Sequence, residues 1–200
     1  MIPAAKHVAV LISGRGSNLQ NLIDAQDASY RIVLVISNVE GAGGLEKARA
    51  AGIATNVISH AGKTREAFDS EIDASLRAAR ADIVVLAGFM RILSDGFVRG
   101  WAGRLINIHP SLLPAYKGIK VHERVLAAKE SVSGASVHFV VPELDAGPVI
   151  AQATIPVHPS DTPQSLADRV LEVEHRLYPE ALKLLASDKV KLQHGLAVFS

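Results

Sequence analysis

The feature that most constrains this chain is an alternation: short runs rich in Val, Ile and Leu are separated by longer stretches whose apolar residues recur at helical spacing. His7 to Ile12, Arg31 to Ser37, Ala54 to Ile58, Ile83 to Leu86 and Arg104 to Ile108 read as strands that lack a polar face, the pattern of a parallel sheet covered on both sides. Between the third and fourth runs, Phe68, Ile72, Leu76 and Ala79 fall on one helical face, which makes that stretch a βαβ crossover. Beyond Pro114 the pattern changes. Gly134 to Val141 alternates polar and apolar residues and Pro148 to Val157 is a second extended stretch, so a mixed or antiparallel edge is expected. The last helix should open with Thr162 as N-cap and Pro163 at its first position, and bury Leu166, Val170, Val173, Leu177, Ala181 and Leu184 across the sheet. Val190 to Leu192 reads as one more small edge strand.

A chain of 200 residues with 48% hydrophobic content suits one α/β domain around a substantial core. Lys and Arg number 21 against 20 for Asp and Glu, so the net charge of +1 provides no general field for nucleic acid, and any anion must be recognised locally. With no cysteine there is no disulfide, thiolate nucleophile or cysteine-bound metal. The histidines His109, His122 and His138 lack paired ligand spacing, and no metal is expected. No apolar run approaches the roughly 20 residues that cross a bilayer, and the start of the chain has no signal-peptide pattern, which points to a cytoplasmic protein without a membrane partner.

In an open parallel sheet, ligands gather where strands end at their carboxyl side. Strand one runs into Ser13-Gly14-Arg15-Gly16-Ser17-Asn18 and then a helical pattern, a turn that aims backbone amides and a helix N-terminus into one crevice. It departs from the dinucleotide fingerprint, because Leu19 holds the third glycine position and strand two ends in Asn38 instead of an acid. A phosphomonoester cradle and a plain turn capped by Ser17 or Asn18 both fit. Strand five ends in Asn107-Ile108-His109-Pro110, so an amide and an imidazole two residues apart face one side. An amide can stabilise an oxyanion and an imidazole can move a proton; both can also merely satisfy buried backbone. Asp145 sits in a turn bounded by Pro142 and Pro148, where an acid is ordinarily a turn former. A carboxylate brought to His109 would instead orient and charge it. Leu86 to Leu93 offers a glycine and apolar residues either to a flat ligand or to a buried connection capped by Ser94.

Gly14-Arg15-Gly16-Ser17-Asn18-Leu19-Gln20, Leu86-Ala87-Gly88-Phe89-Met90-Arg91-Ile92-Leu93, Asn107-Ile108-His109-Pro110-Ser111-Leu112-Leu113-Pro114 and Asp145-Ala146-Gly147-Pro148, in this order, closely resemble the phosphoribosylglycinamide formyltransferases. The resemblance implies a single-domain, Rossmann-like, mostly parallel twisted sheet with helices on both faces and an antiparallel C-terminal edge. It also implies one formyltransferase domain over 1–200, with a phosphate-binding half to about 100, a folate and catalytic half to about 187 and a short tail. By this likeness Asn107, His109 and Asp145 are catalytic, while Gly16, Ser17, Asn18, Gly88, Pro110 and Glu174 hold glycinamide ribonucleotide. Arg65, Met90, Arg91, Ile92, Leu93, Asn107, Val141, Pro142, Glu143, Leu144 and Asp145 would embrace 10-formyltetrahydrofolate as co-substrate. Lys117-Gly118 and the residues through Glu130 resemble the family's mobile substrate loop. The oligomeric state, monomer or homodimer, stays open. The rival activities are a formyltetrahydrofolate deformylase, a methionyl-tRNA formyltransferase, for which length and charge supply no RNA-binding domain, and a non-catalytic mononucleotide-binding module.

Overall fold

The computed structural model describes residues 4–200. Seven strands form one sheet in the order β3-β2-β1-β4-β5-β6-β7: β1 (Lys6–Ile12), β2 (Tyr30–Ser37), β3 (Ala54–Val57), β4 (Ile83–Leu86), β5 (Leu105–His109), β6 (Val132–Phe139) and β7 (Val149–Pro156). The first five are parallel and the last two antiparallel, as the change of pattern beyond Pro114 requires. β1 is an interior strand between β2 and β4, and Val8 to Ile12 are wholly buried, which is why this strand carries no polar face. Its alternate side chains feed two cores. Val8, Val10 and Ile12 pack with Leu19 and Leu22 of α1 (Ser17–Asp24) and with α6 (Pro163–Ala186), while Ala9 and Leu11 pack with Phe68, Ile72 and Leu76 of α3 (Arg65–Ala78). At roughly 1.5–3 kcal/mol for each fully buried large aliphatic side chain, these two layers dominate the stability.

From β1 the chain crosses to β2 and β3 on one side and then to β4 on the other, so strand order reverses between β1 and β4. A crevice opens at their carboxyl ends, the place where open α/β sheets bind ligands. Helix α6 spans 24 residues and lies across β6 and β7. Thr162 caps it by accepting the Ser165 amide, with Pro163 at the first position. Its stripe matches the expected one except that Leu184 is half-buried while Leu182 and Leu185 are buried.

Two short helices, α2 (Gly43–Ala50) and α5 (Val121–Ala127), carried too few periodic residues to announce themselves, and a third, α4 (Asp95–Gly100), was marked in sequence only by its cap, Ser94. Val190 to Leu192 does not join the main sheet. Strand β8 (Val190–Gln193) pairs only with β9 (Leu196–Phe199), as a separate hairpin. β6 ends at Phe139, short of the expected Val141; the Val140 amide still donates to the Leu105 carbonyl at 2.9 Å, and Val140 and Val141 both line the site. Among the described residues, no helix is long and apolar enough to cross a membrane.

Candidate active site

β5 carries Asn107 and His109 to the carboxyl edge of the sheet, and its antiparallel partner β6 sets His138 directly opposite Asn107. The β6–β7 register shifts between Val137 and His138, a bulge of the kind that re-aims side chains beside active sites. The Nδ1–H of His138 donates to the Phe139 carbonyl at 2.8 Å, and its Nε2 accepts from the Asn107 amide nitrogen at 3.3 Å. Burial pushes this imidazole below the ordinary histidine range, against the pull of the Phe139 carbonyl and the Asp145 carboxylate. A neutral His138 therefore fixes which way the Asn107 amide points. The 3.7 Å between His138 Nε2 and Asp145 Oδ1 then holds no proton and makes no hydrogen bond.

Asp145, the turn acid with the least support in sequence, reaches His109: its Oδ2 lies 3.4 Å from Nδ1, with both side chains buried. On the other side of the ring, Nε2 is 2.9 Å from the Tyr116 carbonyl. Both nitrogens thus face oxygen acceptors, an environment that an imidazolium with two N–H donors satisfies. Asp145 holds its place with a left-handed backbone, φ 48°, a conformation Asp tolerates better than most residues. Its Oδ2 also accepts the Gly118 amide at 2.9 Å. Residues 116–118 therefore touch both members of the pair. The loop is further held by Lys117 on Glu143 at 3.3 Å and by Arg124, which donates to the Lys117 carbonyl at 2.6 Å and lies over the Tyr116 ring.

These groups open onto a cavity of about 780 Å³. Its walls are Gly88 and Met90 to Leu93 after β4, Asn107, His109 and Pro110 from β5, Gly118 to Glu123, then Val140 to Pro142, Leu144 and Asp145, and the first turn of α6. Met90 and Ile92 are 76% and 61% exposed, Ile119 81% and Leu144 55%, so large apolar side chains face water here and not the core. Such a patch around a cavity of this size suits a flat, largely apolar ligand. Of the two readings of the Leu86 to Leu93 segment, the capped connection is seen, since Ser94 accepts the Phe97 amide at the start of α4, and residues of the same segment line the cavity. Arg65 and Glu143 lie outside the cavity lining: Arg65 is exposed at the start of α3, one turn before Phe68, whose ring stacks on Phe89, and Glu143 turns to Lys117.

The turn after β1 supplies the other half of the crevice. Gly16 occupies the N-cap of α1 in the left-handed region, with no side-chain cap, so neither Ser17 nor Asn18 serves as the cap. The helical ladder begins with the Gln20 amide on the Gly16 carbonyl at 3.0 Å, which leaves the amides of Ser17, Asn18 and Leu19 ahead of it, free for an anion. Asn18 is buried and donates its side-chain amide to Glu174 Oε2 at 2.7 Å, joining α1 to α6. Burial raises the Glu174 carboxyl above the ordinary glutamate range, against the Asn18 hydrogen bond. A Cβ on Gly16 would meet the Gly44 Cα at 2.5 Å, and φ is 71°. Gly16→Ala is therefore expected to destabilise the fold by about 2 kcal/mol or more, read from a denaturant titration; an unchanged midpoint would contradict this packing.

Two histidines enter the site without having signalled it. His138 and His122 stood out only for lacking metal spacing, yet both line the cavity. Burial, then the neighbouring His109, lowers the His122 imidazole, whose Nδ1 is buried and has no hydrogen-bond partner among the described residues. Only the β5–β6 register, which no spacing in sequence reveals, places His138 on Asn107.

The formyl transferase family profile matches residues 6–182. The chain is 47% identical to phosphoribosylglycinamide formyltransferase of Escherichia coli, over 96% of this chain and 92% of that one. It is 52% identical to the trifunctional purine biosynthetic protein adenosine-3 of Bos taurus over 95% of this chain but only 19% of that protein, so it spans about a fifth of that relative. The crystal structure of phosphoribosylglycinamide formyltransferase from Anaplasma phagocytophilum superimposes with a TM-score of 0.91 at 45% identity, covering 98% of this chain and 95% of that one. The enzyme of the same name from Coxiella burnetii gives a TM-score of 0.93 at 43% identity, covering 98% and 93%. With the fold, the crevice and these likenesses in agreement, the chain belongs to the formyl transferase family and, within it, to the phosphoribosylglycinamide formyltransferases.

Proposed function

We propose that this protein transfers the formyl group of 10-formyltetrahydrofolate to the amine of glycinamide ribonucleotide, yielding formylglycinamide ribonucleotide and tetrahydrofolate in de novo purine biosynthesis. The observation that carries the reading is the placement of His109, set between Asp145 and the Tyr116 carbonyl, beside Asn107, where the apolar cavity approaches the crevice bearing the amide-rich turn. The cavity fits the co-substrate: about 780 Å³ with exposed apolar walls suits a pterin and its aryl group. The free amides at Ser17 and Asn18 suit a phosphate, and the buried Glu174 offers an acceptor to sugar hydroxyls.

In this reaction a C–N bond forms between the substrate amine and the formyl carbon, the bond from that carbon to the folate nitrogen breaks, and one proton passes from the amine to the departing nitrogen. Asn107 presents an N–H to the oxyanion, its orientation set by His138. His109 stabilises the same oxyanion by its charge and moves the proton. Nδ1 is turned to Asp145, so Nε2 carries the proton that travels, which requires the Tyr116 carbonyl to yield its place on that nitrogen. Asp145, 3.4 Å from Nδ1, orients the imidazole and sets a carboxylate beside it when it takes up the proton. The substrates are small and water-soluble, and we place the enzyme in the cytoplasm.

Glu174 gives a test of the ribonucleotide half. A raised folded pKa means that the native state binds this proton more tightly than the unfolded chain does. Its stabilisation is complete below the unfolded value and is lost as pH rises through the folded one, beyond which the buried carboxylate opposes folding. Glu174→Gln is expected to raise Tm at pH 8 with no gain at pH 4, and to raise the ribonucleotide KM about 5-fold to 10-fold. Calorimetry at the two pH values and a steady-state titration read both effects.

Incubation with 10-formyltetrahydrofolate, with and without glycinamide ribonucleotide, tests the activity itself. Loss of the formyl donor only when the amine is present supports the transferase. Loss without the amine would instead make the protein a deformylase, and no loss would make it a binding module.

A further inference from the structure

We infer that Ser13 is a positioning residue that ties the folate wall to the ribonucleotide turn, so that the two substrate subsites are held in one geometry by a single side chain. This rests on the assignment of those two subsites above. Residues 88–94 leave β4 with no regular secondary structure, yet they carry Met90 and Ile92 into the cavity with most of their surface exposed. Apolar side chains that face water do not hold a segment in place by packing, so between its anchors, Phe89 on Phe68 and the buried Leu93, the shape of the stretch around Met90 comes from its hydrogen bonds. Ser13 makes two of these bonds. Its amide donates to the Gly88 carbonyl at 3.1 Å, and its hydroxyl oxygen accepts the Met90 amide at 2.8 Å.

Ser13 is also the residue at which β1 passes into the Gly14-Arg15-Gly16 turn, on the reversal point between β1 and β4. Its hydroxyl proton has its own fixed destination: Ser13 Oγ donates to Asn38 Oδ1 at 2.6 Å. Asn38 is buried just past the end of β2, with its amide nitrogen 3.4 Å from His60 Nδ1. The hydroxyl is therefore locked as donor toward Asn38, which leaves its lone pairs to Met90. An amide at the end of strand two, where a dinucleotide-binding fold would place an acid, accepts the Ser13 hydroxyl proton with its oxygen while its nitrogen faces His60, a donor side that a carboxylate lacks.

The test uses the full-length enzyme with a non-reactive folate analogue and glycinamide ribonucleotide, each titrated alone and in the presence of the other. Ser13→Ala is expected to weaken the analogue about 5-fold to 10-fold, to leave the affinity for ribonucleotide alone unchanged, and to reduce the factor by which one ligand tightens the other. Ser13→Thr, which keeps the hydroxyl, should restore the analogue affinity and the coupling factor. Unfolding midpoints equal to that of the parent show that both variants are folded. If folded Ser13→Ala binds the analogue as the parent does with the coupling factor intact, the proposal is overturned. If the parent itself binds no folate analogue, the assignment of the cavity fails instead. An equal loss of affinity in the Thr and Ala variants would assign the effect to packing and would also overturn the proposal.

Discussion

His109→Ala is expected to lower kcat by about 100-fold to 10,000-fold, the usual contribution of acid–base assistance, while the dissociation constants of both substrates stay close to those of the parent. The expectation follows from the ring's two contacts. Nδ1 faces Asp145 at 3.4 Å and Nε2 faces the Tyr116 carbonyl at 2.9 Å, so neither nitrogen is committed to a structural partner deep in the core. The variant also leaves Asp145 with its Gly118 contact, and the loop keeps that anchor. Because Asp145 acts through His109, the effects of His109→Ala and Asp145→Asn should not add: the double variant is expected to be about as slow as His109→Ala alone. Fully multiplicative losses in single-turnover rates would contradict a shared role, and near-parental turnover in His109→Ala would remove His109 from the chemistry.

Asn107→Ala is expected to cost about 100-fold to 1,000-fold in kcat, the range for loss of one oxyanion donor, again with little change in ground-state binding. Here the buried surroundings sharpen the expectation. The Asn107 amide is oriented by the lone pair of His138, which burial keeps neutral. A donor held in this way costs no reorganisation when charge develops on the formyl oxygen. The loss should therefore appear in kcat and not in KM. A rise in KM at unchanged kcat would mean that Asn107 holds the substrate equally before and during the reaction, and its role as an oxyanion donor would fall.

The elements that could be read in sequence are those whose periodicity is long or whose burial is complete. β1 shows itself because Val8 to Ile12 are buried on both faces, and α6 because its cap, its proline and its stripe agree over 24 residues. Helix α1, though only eight residues, shows Leu19, Leu22 and Ile23 at helical spacing; α2, of the same length, buries only Gly44, Leu45 and Ala48, and α4 and α5, with six and seven residues, span too little chain for a helical period to stand out. The residues of the site divide in the same way. Asn107 and His109 are legible because an extended chain puts residues two apart on one side. Asp145 was not, since its approach to His109 depends on a turn between β6 and β7 and on a left-handed backbone. His138 depends on antiparallel register, and the Ser13 contacts depend on which strand lies beside β1, facts of tertiary structure that no local pattern encodes. Glu174 is intermediate: its helix position marks the border of the buried stripe, but the Asn18 partner is 156 residues away.

The most direct measurement follows the formyl group itself. With the formyl carbon of 10-formyltetrahydrofolate isotopically labelled and glycinamide ribonucleotide present, the label is expected in the ribonucleotide product, mole for mole with the tetrahydrofolate formed, and tetrahydrofolate should not form when the ribonucleotide is withheld. Label appearing as free formate at the same rate with or without the ribonucleotide would contradict the account.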